Sequence, residues 1–232
     1  MAKGGNVAAS IQDATFLGSR RLRISPANIE KEKDMNYAQT LSRNIADSIY
    51  AKELLANDAA AIATFSSAVE HVIHCYRQGG RLYIAGNGGS AADAQHLAAE
   101  FISKLARDRN PLPTEALTTD SSVLTAIGND YGYEHIFSRQ LAGKIQRHDA
   151  FLGITTSGKS SNILKALDQC RSLRVKSIVF AGQGGGPAKA MADYCIIAPG
   201  TRTSVIQELH IILAHTLCEC VEEALFGSAE YV

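Results

Sequence analysis

The chain has 232 residues, of which 46% are hydrophobic and 20% charged, a composition typical of a folded globular protein with room for one sizeable core. Its 23 basic and 23 acidic residues give a zero net charge, which argues against a dedicated nucleic-acid binder. No apolar run approaches the roughly 20 residues of a membrane span, and the N-terminus lacks the apolar segment of a secretory signal, so we expect a cytoplasmic protein without a membrane partner.

Residues 1–35 differ from the rest of the chain. They mix Gly, Ser and basic residues without a sustained period, which predicts a disordered tail or extension before a single domain over 36–232. From Asn36 to Gln78, apolar residues recur at three- and four-residue spacing, and this pattern predicts one or two amphipathic helices that end at Gly79.

Short apolar segments then alternate with stretches long enough for a helix. The predicted strands are 81–85, 115–118 (the weakest), 150–155, 177–181 and 194–198, and a last helix is predicted from about Ser204 to Leu225. This alternation predicts an α/β fold with a parallel sheet covered by helices on both faces. The five cysteines form no Cys-x-x-Cys pair and mostly lie in apolar segments, so we expect reduced core thiols.

Two predicted strand-to-helix turns are rich in glycine and hydroxyl groups. The first is Gly86–Asp93 (GNGGSAAD), and the second is Thr155–Ser160 (TTSGKS). Backbone N–H groups and hydroxyls at a helix N-terminus favour a phosphate, and ligands of open α/β sheets bind beyond the carboxyl ends of the strands. Neither turn matches the Walker or dinucleotide patterns, and the alternative is that both are ordinary capped turns.

Candidate metal ligands lie in the helix after the first turn. His96 and Glu100 are four residues apart and therefore share one helical face. Imidazole and carboxylate both suit zinc, although a surface His–Glu pair without a ligand is also compatible with this spacing. The last helix adds the polar side chains Gln207, Glu208, His210 and His215.

Four segments together resemble the phosphoheptose isomerase family of sugar-isomerase (SIS) domain proteins. They are Ala85–Phe101, Thr118–Gln140, Gly153–Leu164 and Ile206–Cys218, and the resemblance extends from about Met35 to Gly227. It implies a three-layer α/β/α sandwich with a five-stranded parallel sheet, preceded by N-terminal helices and assembled as a homotetramer. It also implies conversion of sedoheptulose 7-phosphate to D-glycero-D-manno-heptose 7-phosphate through a metal-assisted enediol, the first step of bacterial ADP- or GDP-heptose synthesis, with one Zn2+ per active site.

The resemblance also assigns residues. The implied metal ligands are His96, Glu100, Gln207 and His215, with Glu100 as base and His215 as acid. With Ser90 of the first turn, the expected substrate-binding residues are Asn87, Gly88, Gly89, His96, Glu100, Asn129, Asp130, Thr155, Thr156, Ser157, Ser160 and Gln207. Lys104 and Val205 stand where the family usually has Arg, which bears on the choice of sugar phosphate rather than on the reaction type.

The spacing of Gln207 and His215 raises a geometric question. On one helix these residues would lie about 12 Å apart along the axis and about 80° apart around it. Either Gln207 precedes the regular helix, or the ligands come from different subunits and the active site lies at an interface. His210 is expected to be a packing residue or a residue that supports the ligands without binding the metal.

Two other functions are alternatives. A non-catalytic SIS-domain protein could bind a replication-initiation partner, but relatives of that class lack the glutamate that Glu100 matches. A sugar-phosphate-sensing regulator would need an N-terminal helix-turn-helix segment of about 70 residues, for which the first 35 residues leave no room.

Overall fold

The computed structural model describes residues 36–106 and 108–227. The predicted tail over 1–35 therefore lies outside the described residues. The chain divides into two compact units, Met1–Leu41 and Ser42–Val232, and the second contains the whole sheet and every candidate site residue.

Helices and strands alternate along the chain. The elements are α1 (Tyr37–Ala56), α2 (Ala59–Arg77), β1 (Leu82–Gly86), α3 (Gly89–Ile102), β2 (Thr114–Ala116), α4 (Ser121–Tyr131), a 3-10 turn (Tyr133–His135), α5 (Ser138–Lys144), β3 (Ala150–Thr155), α6 (Ser161–Leu173), β4 (Ser177–Ala181), a second 3-10 turn (Gln183–Gly185), α7 (Ala188–Met191), β5 (Tyr194–Ile197) and α8 (Thr203–Phe226). The predicted strands and last helix agree with these bounds to within two residues.

The five strands form one parallel sheet in the order β2-β1-β3-β4-β5. The chain runs outward in one direction from β1 to β2, and in the other direction from β3 to β5. The switch point of the sheet therefore lies between β1 and β3, where Gly86 is paired with Ile154. Ligands of open α/β sheets bind outside the strand ends at such a point.

Successive strand residues point to opposite faces of the sheet, and each face has its own core. Ile84, Leu152 and Phe180 pack on one face with residues of α2, α3 and α8. Tyr83, Phe151 and Val179 pack on the other with residues of α5 and α6. These two cores confirm the predicted three-layer α/β/α sandwich.

Helix α8 is 24 residues long and runs from the carboxyl edge of the sheet across the first core. Ten of its residues are buried, and they include His210 and Glu222 among apolar side chains. Within the two described ranges, neither α8 nor another helix combines the length and apolar character that a membrane span requires. The five cysteines are free thiols, and Cys75, Cys170 and Cys218 are buried.

Candidate active site

A pair of asparagines joins the first predicted turn to the helix that follows the second, at the switch point of the sheet. The Asn87 amide donates to Asn162 Oδ1 at 2.9 Å, and the Asn162 amide donates to Asn87 Oδ1 at 2.8 Å. Asn162 is buried in the first turn of α6, directly after the second loop. This reciprocal pair fixes the loop after β1 against the helix that follows β3.

A third segment reaches the same asparagine. The Tyr133 hydroxyl donates to Asn87 Oδ1 at 3.1 Å, so this oxygen accepts two hydrogen bonds. Within the described part of the chain, one N–H of Asn87 remains for a substrate. Sequence reasoning missed Asn162 and Tyr133 as site residues, although both lie in segments that carry the family resemblance.

Hydroxyl groups line the second loop, Thr155–Ser160. The hydroxyls of Thr155 and Ser160 lie 3.2 Å apart, and Ser157 Oγ accepts a hydrogen bond from the backbone N–H of Lys159 at 3.2 Å. Ser160 occupies the N-cap position of α6 without a side-chain capping bond from the described residues. Its hydroxyl and the first N–H groups of α6 are therefore placed to bind an anion.

The predicted site residues Asn129 and Asp130 lie near the end of α4. Both are exposed, and the Asn129 amide donates to Asp130 Oδ1 at 2.8 Å. Gly132 follows them with a φ of 95°, a value that favours glycine, and this turn leads the chain to Tyr133 and its contact with Asn87.

Three predicted metal ligands come together between α3 and α8. His96 Nε2 lies 2.8 Å from His215 Nε2, and the two rings meet edge to face. Glu100 Oε1 lies 3.6 Å from His96 Nε2. All three side chains are at least partly accessible. These three residues belong to one chain, so their meeting needs no partner subunit.

The structure answers part of the question about Gln207. Gln207 and His215 both lie within α8, so the alternative that Gln207 precedes the helix is wrong. The Gln207 amide lies against Gly89 at the start of α3, where a Cβ on Gly89 would collide with Gln207 Nε2. Gln207 therefore lies near the first loop, whereas His215 lies two turns further along beside His96.

The imidazole and carboxylate groups that meet here carry donor atoms that suit zinc. Among residues 36–106 and 108–227, no group of three or more His, Cys, Asp or Glu is arranged to hold a metal ion. The two converging imidazoles with a nearby carboxylate are nonetheless the donor types that zinc prefers. Because the His96 and His215 Nε2 atoms face each other at hydrogen-bond distance, one of them donates a proton to the other.

Asp93 lies one helical turn before His96 and was not predicted as a site residue. Its Oδ2 is buried and has no partner among the described residues. Burial raises the pKa of the Asp93 carboxyl, while the neighbouring His96 opposes this shift.

The two departures from the family pattern occupy different surroundings. Val205 is buried in an apolar cluster with Ala51, Ala198 and Leu209. Lys104 is exposed just beyond the end of α3.

His210 is a packing residue, as expected. It is fully buried, its Nε2–H donates to Ala181 O at 3.1 Å, and its Nδ1 has no partner within the described ranges. Burial lowers the pKa of His210 to about 4. The residue is therefore neutral and faces the sheet rather than the site.

Comparisons with known proteins agree with this architecture. The family model described as SIS domain matches residues 43–182. A phosphoheptose isomerase 2 from Campylobacter jejuni is 48% identical over 192 residues, covering 83% of this chain and 96% of the relative. A phosphoheptose isomerase from Aneurinibacillus thermoaerophilus is 47% identical over 80% of this chain and 94% of its own length. The structure of a phosphoheptose isomerase from Neisseria gonorrhoeae matches 81% of this chain and 100% of its own, with a TM-score of 0.76 and 37% identity.

Proposed function

The chain belongs to the phosphoheptose isomerase family of SIS-domain proteins, and we propose that it converts sedoheptulose 7-phosphate to D-glycero-D-manno-heptose 7-phosphate. The observation that carries this proposal is that His96 on α3 contacts both Glu100 and His215, the latter on α8. Helix α3 begins at the first of the two glycine- and hydroxyl-rich loops that could bind a phosphate. The proposal assigns acid–base roles to these side chains and phosphate binding to the loops at the switch point of the sheet.

The second loop would hold the phosphate end of the sugar. Thr155, Ser157 and Ser160 supply hydroxyl donors, and the start of α6 adds unpaired N–H groups and a favourable dipole. Binding energy from this remote group would orient the reacting end of the sugar. Thr156, Gly88, Gly89, Ser90, Asn129 and Asp130 are the proposed additional substrate contacts.

The reaction moves two protons between neighbouring atoms. Glu100 would remove a proton from C1 of the ketose, and the electron pair then forms the enediol while the C2 carbonyl oxygen takes up a proton. Glu100 would return a proton to C2, and His215 would transfer the hydroxyl proton from O1 to O2. A carboxylate and an imidazole are side chains that can perform such transfers, and Glu100 and His215 both contact His96.

We propose one Zn2+ per active site, held by His96, Glu100, Gln207 and His215. When bound, the ion would polarise the substrate carbonyl and so ease loss of the neighbouring C–H proton. The Gln207 amide lies against Gly89 at the start of α3, whereas His96 contacts Glu100 and His215 further along the two helices.

We also propose a homotetramer in which neighbouring subunits complete the site. Ile45, Ile49, Leu54 and Ile62 are exposed large apolar residues on the N-terminal helices, a surface that a second copy could cover. An interface cleft would exclude water from the enediol. In the cell, we propose a cytoplasmic enzyme at the first step of ADP- or GDP-heptose synthesis for surface polysaccharide.

The proposal is tested by incubating the purified protein with a panel of C5 to C7 ketose phosphates and identifying the products. Turnover of the C7 substrate is expected. A protein that turns over none of the panel and carries no stoichiometric zinc would instead support the non-catalytic alternative.

A further inference from the structure

A buried ion pair lies at the far end of the two site helices. Arg109 Nη2 lies 2.7 Å from Glu222 Oε1 and Arg109 Nε lies 2.9 Å from the same oxygen, with the two side chains only 1% and 2% exposed. Removing two charges from water is costly, so a buried pair is weak grounds for a stabilising role. Its best-attested use is to fix one arrangement of the elements it joins.

Arg109 caps the helix that carries the proposed base. Its Nη2 donates to the backbone oxygen of Glu100 at 2.9 Å, and its Nη1 donates to that of Phe101 at 2.6 Å. Carbonyls in the last turn of a helix have no partner within the helix. The guanidinium therefore holds the final turn of α3, which includes the Glu100 backbone, at one position.

Glu222 connects this capped end to α8. It accepts the backbone N–H groups of Leu105 and Ala106 at 3.0 and 3.3 Å, in the segment that follows α3. It also lies seven residues after His215, which places the two side chains only about 20° apart around the helix. The face of α8 that meets His96 is thus the face that binds Arg109.

We infer that Arg109 and Glu222 are positioning residues that set the register of α3 against α8. The inference rests on the proposed function, because the register determines how His215 meets His96 and Glu100. A slip of one residue would move a helix by about 1.5 Å, which is more than a 2.8 Å contact tolerates. The phosphate loop lies on other elements, so the pair acts on the catalytic step rather than on phosphate binding.

The test replaces the pair with apolar residues of similar volume. The double variant Arg109→Met/Glu222→Leu removes both charges together, which avoids leaving one buried charge alone. Glu222→Asp keeps both charges but shortens the carboxylate side chain by one methylene, and it serves as the milder second variant. The more accessible ion pair Arg81–Glu115, whose side chains are 48% and 30% exposed, is the control and is replaced as Arg81→Met/Glu115→Leu.

We expect the folded variants to lose kcat by about tenfold or more with sedoheptulose 7-phosphate, while KM changes little and the control keeps both values. The kcat of Glu222→Asp is expected to fall between those of wild type and the double variant. A folded variant with wild-type kcat would overturn the inference, and so would a tenfold change in KM with kcat unchanged. Unfolding of both variants would also overturn it, because the pair would then be only a requirement for folding. A wild-type protein without turnover would instead refute the proposed function itself.

Discussion

His96 and His215 lie opposite each other on α3 and α8, with their Nε2 atoms 2.8 Å apart. The contacts along these helices rise together in residue number, from Gly89 with Gln207 to His96 with His215, and the two helices therefore run in parallel. Two protonated imidazoles could not share this contact, since neither would have a lone pair to offer. At least one nitrogen presents a lone pair, as a metal ligand must.

If zinc is the cofactor, as we propose, its removal should abolish activity. Chelation is expected to stop turnover and added zinc to restore it, and His96→Ala and His215→Ala should each weaken zinc binding by about tenfold or more because one ligand of about four is lost. Zinc content by elemental analysis is the measurement, and His74→Ala, an exposed histidine on α2, is the control. Full activity with less than about 0.1 metal per chain would contradict the zinc proposal.

Loss of the Glu100 carboxylate should abolish isomerisation without unfolding the protein. Glu100→Gln keeps the size of the side chain but cannot accept a proton. We expect kcat to fall below about a tenth of wild type, a barrier increase of more than about 1.4 kcal/mol, with the melting temperature little changed. Glu219→Gln, an exposed glutamate on α8, should behave as wild type. A higher residual rate in Glu100→Gln would mean that another group is the base.

The amide pair should couple the two loops energetically. Asn87→Ala and Asn162→Ala each break both hydrogen bonds of the pair, so kcat/KM should fall in either variant and fall little further in the double variant. The expected coupling free energy is about 1 kcal/mol or more, measured as a double-mutant cycle. Tyr133→Phe removes one contact to Asn87 and should have a smaller effect. Additive losses would show that the loops act independently.

Burial of His210 should make the folded protein sensitive to acid. Its pKa is lowered to about 4, mainly by burial, whereas an unfolded histidine titrates near 6.5. Above pH 6.5 His210 is neutral in the folded and the unfolded chain, so its burial has no pH-dependent effect on the free energy of unfolding. As the pH falls from 6.5 towards 4, only the unfolded chain binds the proton, and the free energy of unfolding decreases. The loss amounts to about 3 kcal/mol.

Denaturation at several pH values measures this contribution. His210→Gln can still donate to Ala181 O but does not titrate, so its free energy of unfolding should depend less on pH between 4 and 6.5. His148→Gln, at an exposed histidine, should keep the wild-type dependence. Identical slopes for His210→Gln and wild type would contradict the assignment.

The positions of the strands could be predicted from the sequence because most strands are continuous apolar runs between helical segments. The segments 150–155 and 177–181 coincide with β3 and β4, since buried parallel strands leave little room for polar residues. The predicted strand over 115–118 begins one residue after the observed strand Thr114–Ala116 and ends two residues beyond it. A three-residue edge strand is too short to give a clear pattern of apolar residues.

The site was predictable only where residues share a helix or a motif. His96 and Glu100 could be paired from their spacing, whereas the contact of His96 with His215 spans 119 positions and depends on helix packing. Asn162 and Arg109 could not be assigned roles for the same reason. Asn162 is an amide in the first turn of a helix and Arg109 is a basic residue in a loop, and only the fold shows what each one binds.

The most direct test of the account is turnover of sedoheptulose 7-phosphate in D2O by wild type and Glu100→Gln, followed by NMR of the product. Because the proposed base exchanges its proton with solvent, wild type should form D-glycero-D-manno-heptose 7-phosphate with deuterium at C2. Glu100→Gln should form neither the product nor deuterated substrate. Absence of the heptose product with wild type, or equal deuterium incorporation by both proteins, would contradict the account.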